Sequence, residues 1–152
     1  MSACRVLQTG APQDVLTRPE HPEVAAAAGV ETVVTGRIQR RDGGVAFMEV
    51  GSANLMAAEP AGKDIDFYVC IRGVDVTLEK GRAEQSSARN HLQGRVEHIL
   101  PAGVLMKVTI DVGFKIVALV TRQAIADLGL VNGSEVFAVF KASAVHLIPR
   151  SA

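Results

Sequence analysis

Two short segments of this 152-residue chain combine residue types that could hold an anion. Ser86-Ser87-Ala88-Arg89-Asn90 and Lys141-Ala142-Ser143 are rich in hydrogen-bond donors and contain no carboxylate. A compact tetrahedral dianion offers four acceptor oxygens and nothing to donate. It therefore needs hydroxyls, backbone N–H groups and one or two cations, converging without a competing Asp or Glu. Ser87 and Ser143 supply hydroxyls, Ala88 and Ala142 let the main chain come close, and Arg89 and Lys141 supply charge. The same residues also fit a plainer reading, in which Ser87–Asn90 is a polar turn into a strand and Lys141 an exposed strand residue. On spacing alone that plainer reading has the advantage.

Other chemistry finds no support. The chain contains no G-x-S-x-G, no H-E-x-x-H and no G-x-x-x-x-G-K-[ST], so neither a hydrolase triad, a zinc protease nor ATP hydrolysis is expected, and the chain is read as a non-enzyme. His21, His91, His98 and His146 lack metal-ligand spacing and read as surface or barrel-rim residues, so no metal site is expected. Arg40-Arg41 beside Asp42-Gly43-Gly44 reads as a solvated hairpin tip. Cys4 and Cys70 form no C-x-x-C and are expected to be free thiols in a reducing cytoplasm. Lys+Arg 16 against Asp+Glu 16 leaves no cationic surplus for nucleic acid, and five Phe with one Tyr are too few for a base-stacking platform. The longest apolar runs, such as Ile116–Val120, are far below the roughly 20 residues that span a bilayer. Met1–Arg5 does not open a signal peptide. A cytoplasmic protein that neither inserts in a membrane nor binds nucleic acid is expected.

The elements that must position these residues are mostly strands. Met106, Val108, Ile110 and Val112 alternate with Lys107, Thr109 and Asp111. Ile65, Phe67, Val69 and Ile71 alternate with Asp66, Tyr68 and Cys70, and Val74, Val76 and Leu78 alternate with Asp75 and Thr77. Period two predicts half-buried strands. Asp42-Gly43-Gly44, Pro101-Ala102-Gly103 and Asn132-Gly133 supply the turns. Short helices are expected at Pro12–Leu16, at Pro22–Gly29 and at Thr121–Gly129, the last with Thr121 as N-cap and Gly129 as stop.

An internal repeat organises the strands. Val34-Thr35-Gly36-Arg37-Ile38 resembles Leu92-Gln93-Gly94-Arg95-Val96, and each is followed by a Gly-containing turn and a strand. Each unit closes on a similar strand, Tyr68–Val76 in the first and Ala138–Val145 in the second, the latter carrying Lys141–Ser143. The longer second unit contains the Thr121–Gly129 helix as its extra piece. The reading is a mainly β protein of tandem OB-like Greek-key barrels, with short helices at the N-terminus. The expected division is a connector over 1–28, a first unit over 29–80, a linker over 81–86 and a second unit over 87–150. First and last strands of a small barrel can be neighbours, which would bring Ser87–Asn90 and Lys141–Ser143 together.

Ser87-Ala88-Arg89-Asn90-x-Leu92-x-Gly94-x-Val96, then Leu128-Gly129-Leu130-x-x-Gly133-x-x-Val136 and Phe140–Val145, resembles the Mop domain, the molybdate-binding member of the TOBE (transport-associated OB) group. The first unit resembles a shorter TOBE subdomain. Arg5-Val6-Leu7-Gln8-x-Gly10-x-Pro12 with Arg18-Pro19 and Val24-Ala25 resembles the end of an ABC-transporter ATPase, where its nucleotide domain hands over to TOBE. The resemblance implies a molybdate or tungstate ligand, no further cofactor, and an oxyanion site of Ser87, Ala88, Arg89, Asn90, Lys141, Ala142 and Ser143, often assembled across a subunit or domain interface. In the first unit Gly29-Val30-Glu31-Thr32 stands where Ser-Ala-Arg-Asn would be, and Glu31 would repel a dianion. Arg72-Gly73-Val74 replaces Lys-Ala-Ser. A site made by two copies of the second unit avoids that defect, so a homo-oligomer is expected. The functional reading is oxyanion binding for sensing, buffering, storage or regulation of molybdate transport. The alternative is a regulatory or oligomerisation module of a split ABC transporter, docking onto an ATPase or permease subunit without binding oxyanion.

Overall fold

Alternating apolar residues fold into strands because each strand then presents one side to a shared core and the other to water. The computed structural model describes residues 29–81 and 90–150 and contains ten strands. In chain order these are β1 (Thr32–Asp42), β2 (Val45–Val50), β3 (Ala53–Ala58), β4 (Asp66–Ile71), β5 (Thr77–Glu79), β6 (Asn90–Ala102), β7 (Leu105–Asp111), β8 (Lys115–Val120), β9 (Glu135–Phe140) and β10 (Val145–Pro149). Among the described residues there is one α-helix, α1 (Arg122–Leu128), between β8 and β9. The expected N-terminal connector and its helices, and residues 82–86 of the expected linker, lie outside the described residues.

The repeat seen in the sequence is a repeat of structure, with β1–β5 answering to β6–β10. In each unit the long first strand carries an irregularity at the same place, between Ile38 and Arg40 in β1 and between Val96 and His98 in β6. Such bulges increase local twist and let a short sheet curl. Gly43 and Gly44, with φ of +60° and +82°, close the β1–β2 hairpin in the left-handed conformations that two-residue hairpin turns require. The helix ends where its caps place it: Thr121 Oγ1 accepts from Ala124 N–H at 3.1 Å, and Gly129 leaves the helix at φ +62°.

The two units exchange their final strands. The sheets run β10-β4-β1-β2-β3 and β5-β9-β6-β7-β8, all pairs antiparallel. Thus β10, from the end of the second unit, pairs with β4 (Val145 opposite Ile71), and β5, from the end of the first, pairs with β9 (Leu78 opposite Ala138). One apolar core joins both sheets: Met48, Val50 and Phe67 pack in the same cluster as Val96, Ile110 and Phe140, with Leu78 and Val145 contributed by the exchanged strands. The units also touch at their turns, where Ser52 N–H donates to the Gly113 carbonyl at 3.2 Å.

Two expectations need correction. Val74–Leu78 is not one strand, since Gly73–Asp75 forms a single 3-10 turn that leaves Val74 exposed, and β5 starts only at Thr77. Lys141–Ser143 likewise does not sit in a strand: Lys141 precedes a 3-10 turn over Ala142–Ala144, between β9 and β10. Both turns lie where the chain leaves one sheet and enters the other, and such a crossing cannot keep a straight ladder. No helix among the described residues is long and apolar enough to cross a membrane.

Candidate functional site

The start of β6 and the turn after β9 meet. Asn90 opens β6 opposite Phe140, the last residue of β9, so the chain entering β6 begins beside Lys141. Asn90 is only 2% exposed, and its carboxamide is engaged on both sides: Oδ1 accepts from Met56 N–H at 2.7 Å and Nδ2 donates to the Met56 carbonyl at 2.9 Å. Met56 lies on β3, an edge strand of the other sheet. A carboxamide matches a peptide unit donor for acceptor, so Asn90 fastens β6 to an edge whose ladder would otherwise be incomplete.

The turn at Lys141 packs against the same β3. Ala144 N–H closes it on the Lys141 carbonyl at 3.0 Å. Lys141 and Ser143 are exposed, and Ala142 and Ala144 are half-buried. Among the described residues no carboxylate pairs with Lys141. Nor do the Ala142 and Ser143 N–H groups have acceptors among the described residues. A cation without a carboxylate partner among the described residues, beside small residues whose N–H groups have no acceptor there, is the arrangement an oxyanion needs. Of the residues singled out from sequence, the structure brings together Asn90, Lys141, Ala142 and Ser143. Ser87, Ala88 and Arg89 lie outside the described residues, their chain joining at Asn90.

Beside this corner a groove of about 380 Å³ opens between β1–β3 and the start of β6, with Arg40, Phe47, Asn54, Met56 and His91 on its walls. Arg40, expected at a solvated hairpin tip, lays its guanidinium 4.1 Å from the centre of the Phe47 ring and reaches the Asp42 carboxylate at 3.4 Å. His91 Nε2 is buried and has no hydrogen-bond partner among the described residues. No group of three or more His, Cys, Asp or Glu side chains that could hold a metal exists among the described residues.

The first unit repeats the corner with different side chains. Thr32 opens β1 where Asn90 opens β6, is equally buried at 2%, and accepts from Val117 N–H of β8 at 2.9 Å. Glu31, one residue earlier, accepts from Gly73 N–H at 2.7 Å. The charge of Glu31, unfavourable for an anion, is legible in the sequence, but its hydrogen bond is not. The available signal was its place in the repeat, opposite Arg89.

Residues 86–147 match the model of the TOBE domain. Over 147 residues, 95% of the chain, the sequence is 36% identical to the molybdate/tungstate import ATP-binding protein WtpC of Pyrococcus horikoshii, and spans 40% of that protein. Over 78 residues, 51% of the chain, it is 38% identical to the molybdenum import ATP-binding protein ModC of Pasteurella multocida, spanning 22% of it. The chain thus spans well under half the length of these curated relatives. Among solved structures, the cytoplasmic molybdate-binding protein ModG, in a crystal form with molybdate bound, superposes with a TM-score of 0.64 at 29% identity, covering 79% of this chain and 97% of that one.

Proposed function

From a chain that carries a TOBE domain over residues 86–147, we propose that the second unit binds molybdate or tungstate at the corner where β6 begins and Lys141–Ser143 turns. The observation that carries the reading is the carboxylate-free turn, its lysine unpaired among the described residues, set beside the entry to a strand that is preceded by Ser87-Ala88-Arg89. Lys141 and Arg89 supply the charge. The Ser87 and Ser143 hydroxyls and the Ala88 and Ala142 N–H groups donate to the oxyanion. Asn90 holds the segment in place through Met56 rather than touching the ligand. No bond is made or broken, so the chemistry is recognition, and a cradle sized for molybdate gives the smaller sulfate longer and weaker contacts. The exposure of Lys141 and Ser143 leaves one side of the corner open, and a second copy of the chain covering it would exclude water and complete the site.

Hydrogen bonds to charged groups contribute about 1.5–3 kcal/mol each, so Lys141→Ala is expected to weaken molybdate binding about 10- to 150-fold. Titration calorimetry of parent and variant checks this, with sulfate and phosphate as controls at matched ionic strength. Equal affinity in Lys141→Ala refutes the site.

The second reading is a docking module for a transporter ATPase. It draws on the likeness to the Pyrococcus horikoshii protein, which over 95% of the chain reaches beyond the TOBE match toward the N-terminus. Co-purification with an ATPase subunit, combined with no thermal shift from any oxyanion, would favour it. In either role we place the chain in the cytoplasm, a reading supported by its likeness to the cytoplasmic ModG.

A further inference from the structure

We infer that the first unit retains a closed copy of the same cradle, in which the Glu31 carboxylate takes the place of an oxyanion, so that free oxyanion is admitted only at the second unit. The inference rests on the oxyanion-binding reading of the second unit and adds what the first unit does.

The two corners correspond residue by residue. Thr32 and Asn90 each open a first strand, each is buried, and each bonds the backbone of an edge strand in the opposite sheet. Arg72 and Lys141 each precede a 3-10 turn with nearly the same backbone angles, φ −80° and ψ 136° against φ −77° and ψ 149°. The closing bonds agree as well, Asp75 N–H to the Arg72 carbonyl and Ala144 N–H to the Lys141 carbonyl, both 3.0 Å. Gly73 therefore answers to Ala142, Val74 to Ser143 and Glu31 to Arg89. At that place in the repeat the sequence has an arginine in the second unit and a glutamate in the first.

That anion is in use. Glu31 Oε1 accepts from Gly73 N–H, the counterpart of the Ala142 N–H proposed to face the ligand. The glycine supplies a separate observation. Its φ is not positive, so its conformation does not call for glycine. Space does: a Cβ there would lie 2.9 Å from Leu119 Cγ and 3.1 Å from Glu31 Oε1. Removing that methyl lets the carboxylate and β8 close over the turn, and Val74 withdraws the hydroxyl that Ser143 offers. A dianion arriving there meets an occupied donor and a like charge, both unfavourable.

The test follows backbone amide resonances of the intact chain during titration with molybdate. In the parent, Ala142 N–H is expected to move and Gly73 N–H to stay still. In Glu31→Ala, Gly73 N–H becomes responsive, with an affinity at least about tenfold below that of the second unit, since no arginine answers to Arg89. Glu31→Gln keeps an acceptor oxygen and leaves Gly73 silent. Glu31→Ser serves as a second opened variant should the alanine form fail to fold. A Gly73 response in the parent, or silence of Gly73 in the folded opened variants, overturns the inference. Silence of Ala142 in the parent refutes the functional reading and with it the admission of oxyanion at the second unit, whereas the Gly73 results alone decide whether Glu31 closes the first.

Discussion

Replacing Asn90 with alanine removes the only side chain that spans the two sheets at the candidate site through a pair of hydrogen bonds among the described residues. The variant leaves the Met56 N–H and carbonyl without partners while deleting a side chain that is 2% exposed. A buried group left unsatisfied costs about 1–3 kcal/mol. Met56 is half-buried on an edge strand, so water recovers part of each bond and the lower half of that range applies to both groups, giving about 2–4 kcal/mol in total. For a domain of this size each kcal/mol moves the melting temperature by about 3–4 °C, so Asn90→Ala should melt roughly 6–16 °C below the parent. Asn90→Asp should lose at least as much at pH 7, because it keeps an acceptor for Met56 N–H but turns a second carboxylate oxygen toward the Met56 carbonyl. Calorimetric or circular-dichroism melts of the three proteins at equal concentration measure this. An alanine variant melting within about 2 °C of the parent would show that Asn90 does not fasten the sheets, and would return its carboxamide to the list of ligand contacts.

Further outcomes follow from other parts of the structure. Gly51→Ala would place a Cβ 2.3 Å from the Gly113 carbonyl oxygen at a residue with φ +58°, so a loss of roughly 2–4 kcal/mol in urea unfolding is expected, and an unchanged midpoint would contradict the contact between the turns. Burial pushes the Cys70 thiol up to about 11, so at pH 8 it should react with a thiol reagent far more slowly in the native protein than in denaturant. Because the folded state holds that proton more tightly, the stability this supplies is complete below the ordinary thiol range and is lost as pH rises toward 11, a loss that Cys70→Ala should remove. The Asp111 carboxyl is held below its ordinary value first by Gly113 N–H and then by Lys115, which also bonds Glu97. Its contribution is therefore present above the normal carboxylate range and lost as pH falls through the lowered value, so Asp111→Asn should flatten the acid limb of stability measured against pH.

The strands were legible wherever one face met the core and the other met water. Met106, Val108 and Ile110 state their side of β7 without ambiguity, and Thr121 with Gly129 states the helix by its ends alone. The alternation of Val74, Val76 and Leu78 misled because period two says nothing about a tight turn, and the evidence against a strand is the space denied at Gly73 by Leu119, which is 46 positions away in sequence. The exchange of β5 and β10 was hidden for a different reason. Both are short strands with apolar inward residues, and an edge that accepts one accepts the other. At the candidate site the donors were legible as types. The use of Asn90 on Met56 was not, since an amide side chain offers a peptide unit the same groups it offers an oxyanion. Glu31 announced its charge but not its partner.

The exchanged strands set how this protein could be cut. A piece beginning at β6 would bring β10 but leave behind β4, against which β10 pairs, and β5, which covers the edge of β9. It would carry one surplus strand and one vacant edge. Because β10 answers to β5 and β9 to β4, two such pieces could satisfy each other by passing their last strands across, rebuilding from two short chains the arrangement that this chain makes from one. The indivisible object here is the pair of units, and a gene fragment that respects the sequence repeat would divide it in the wrong place.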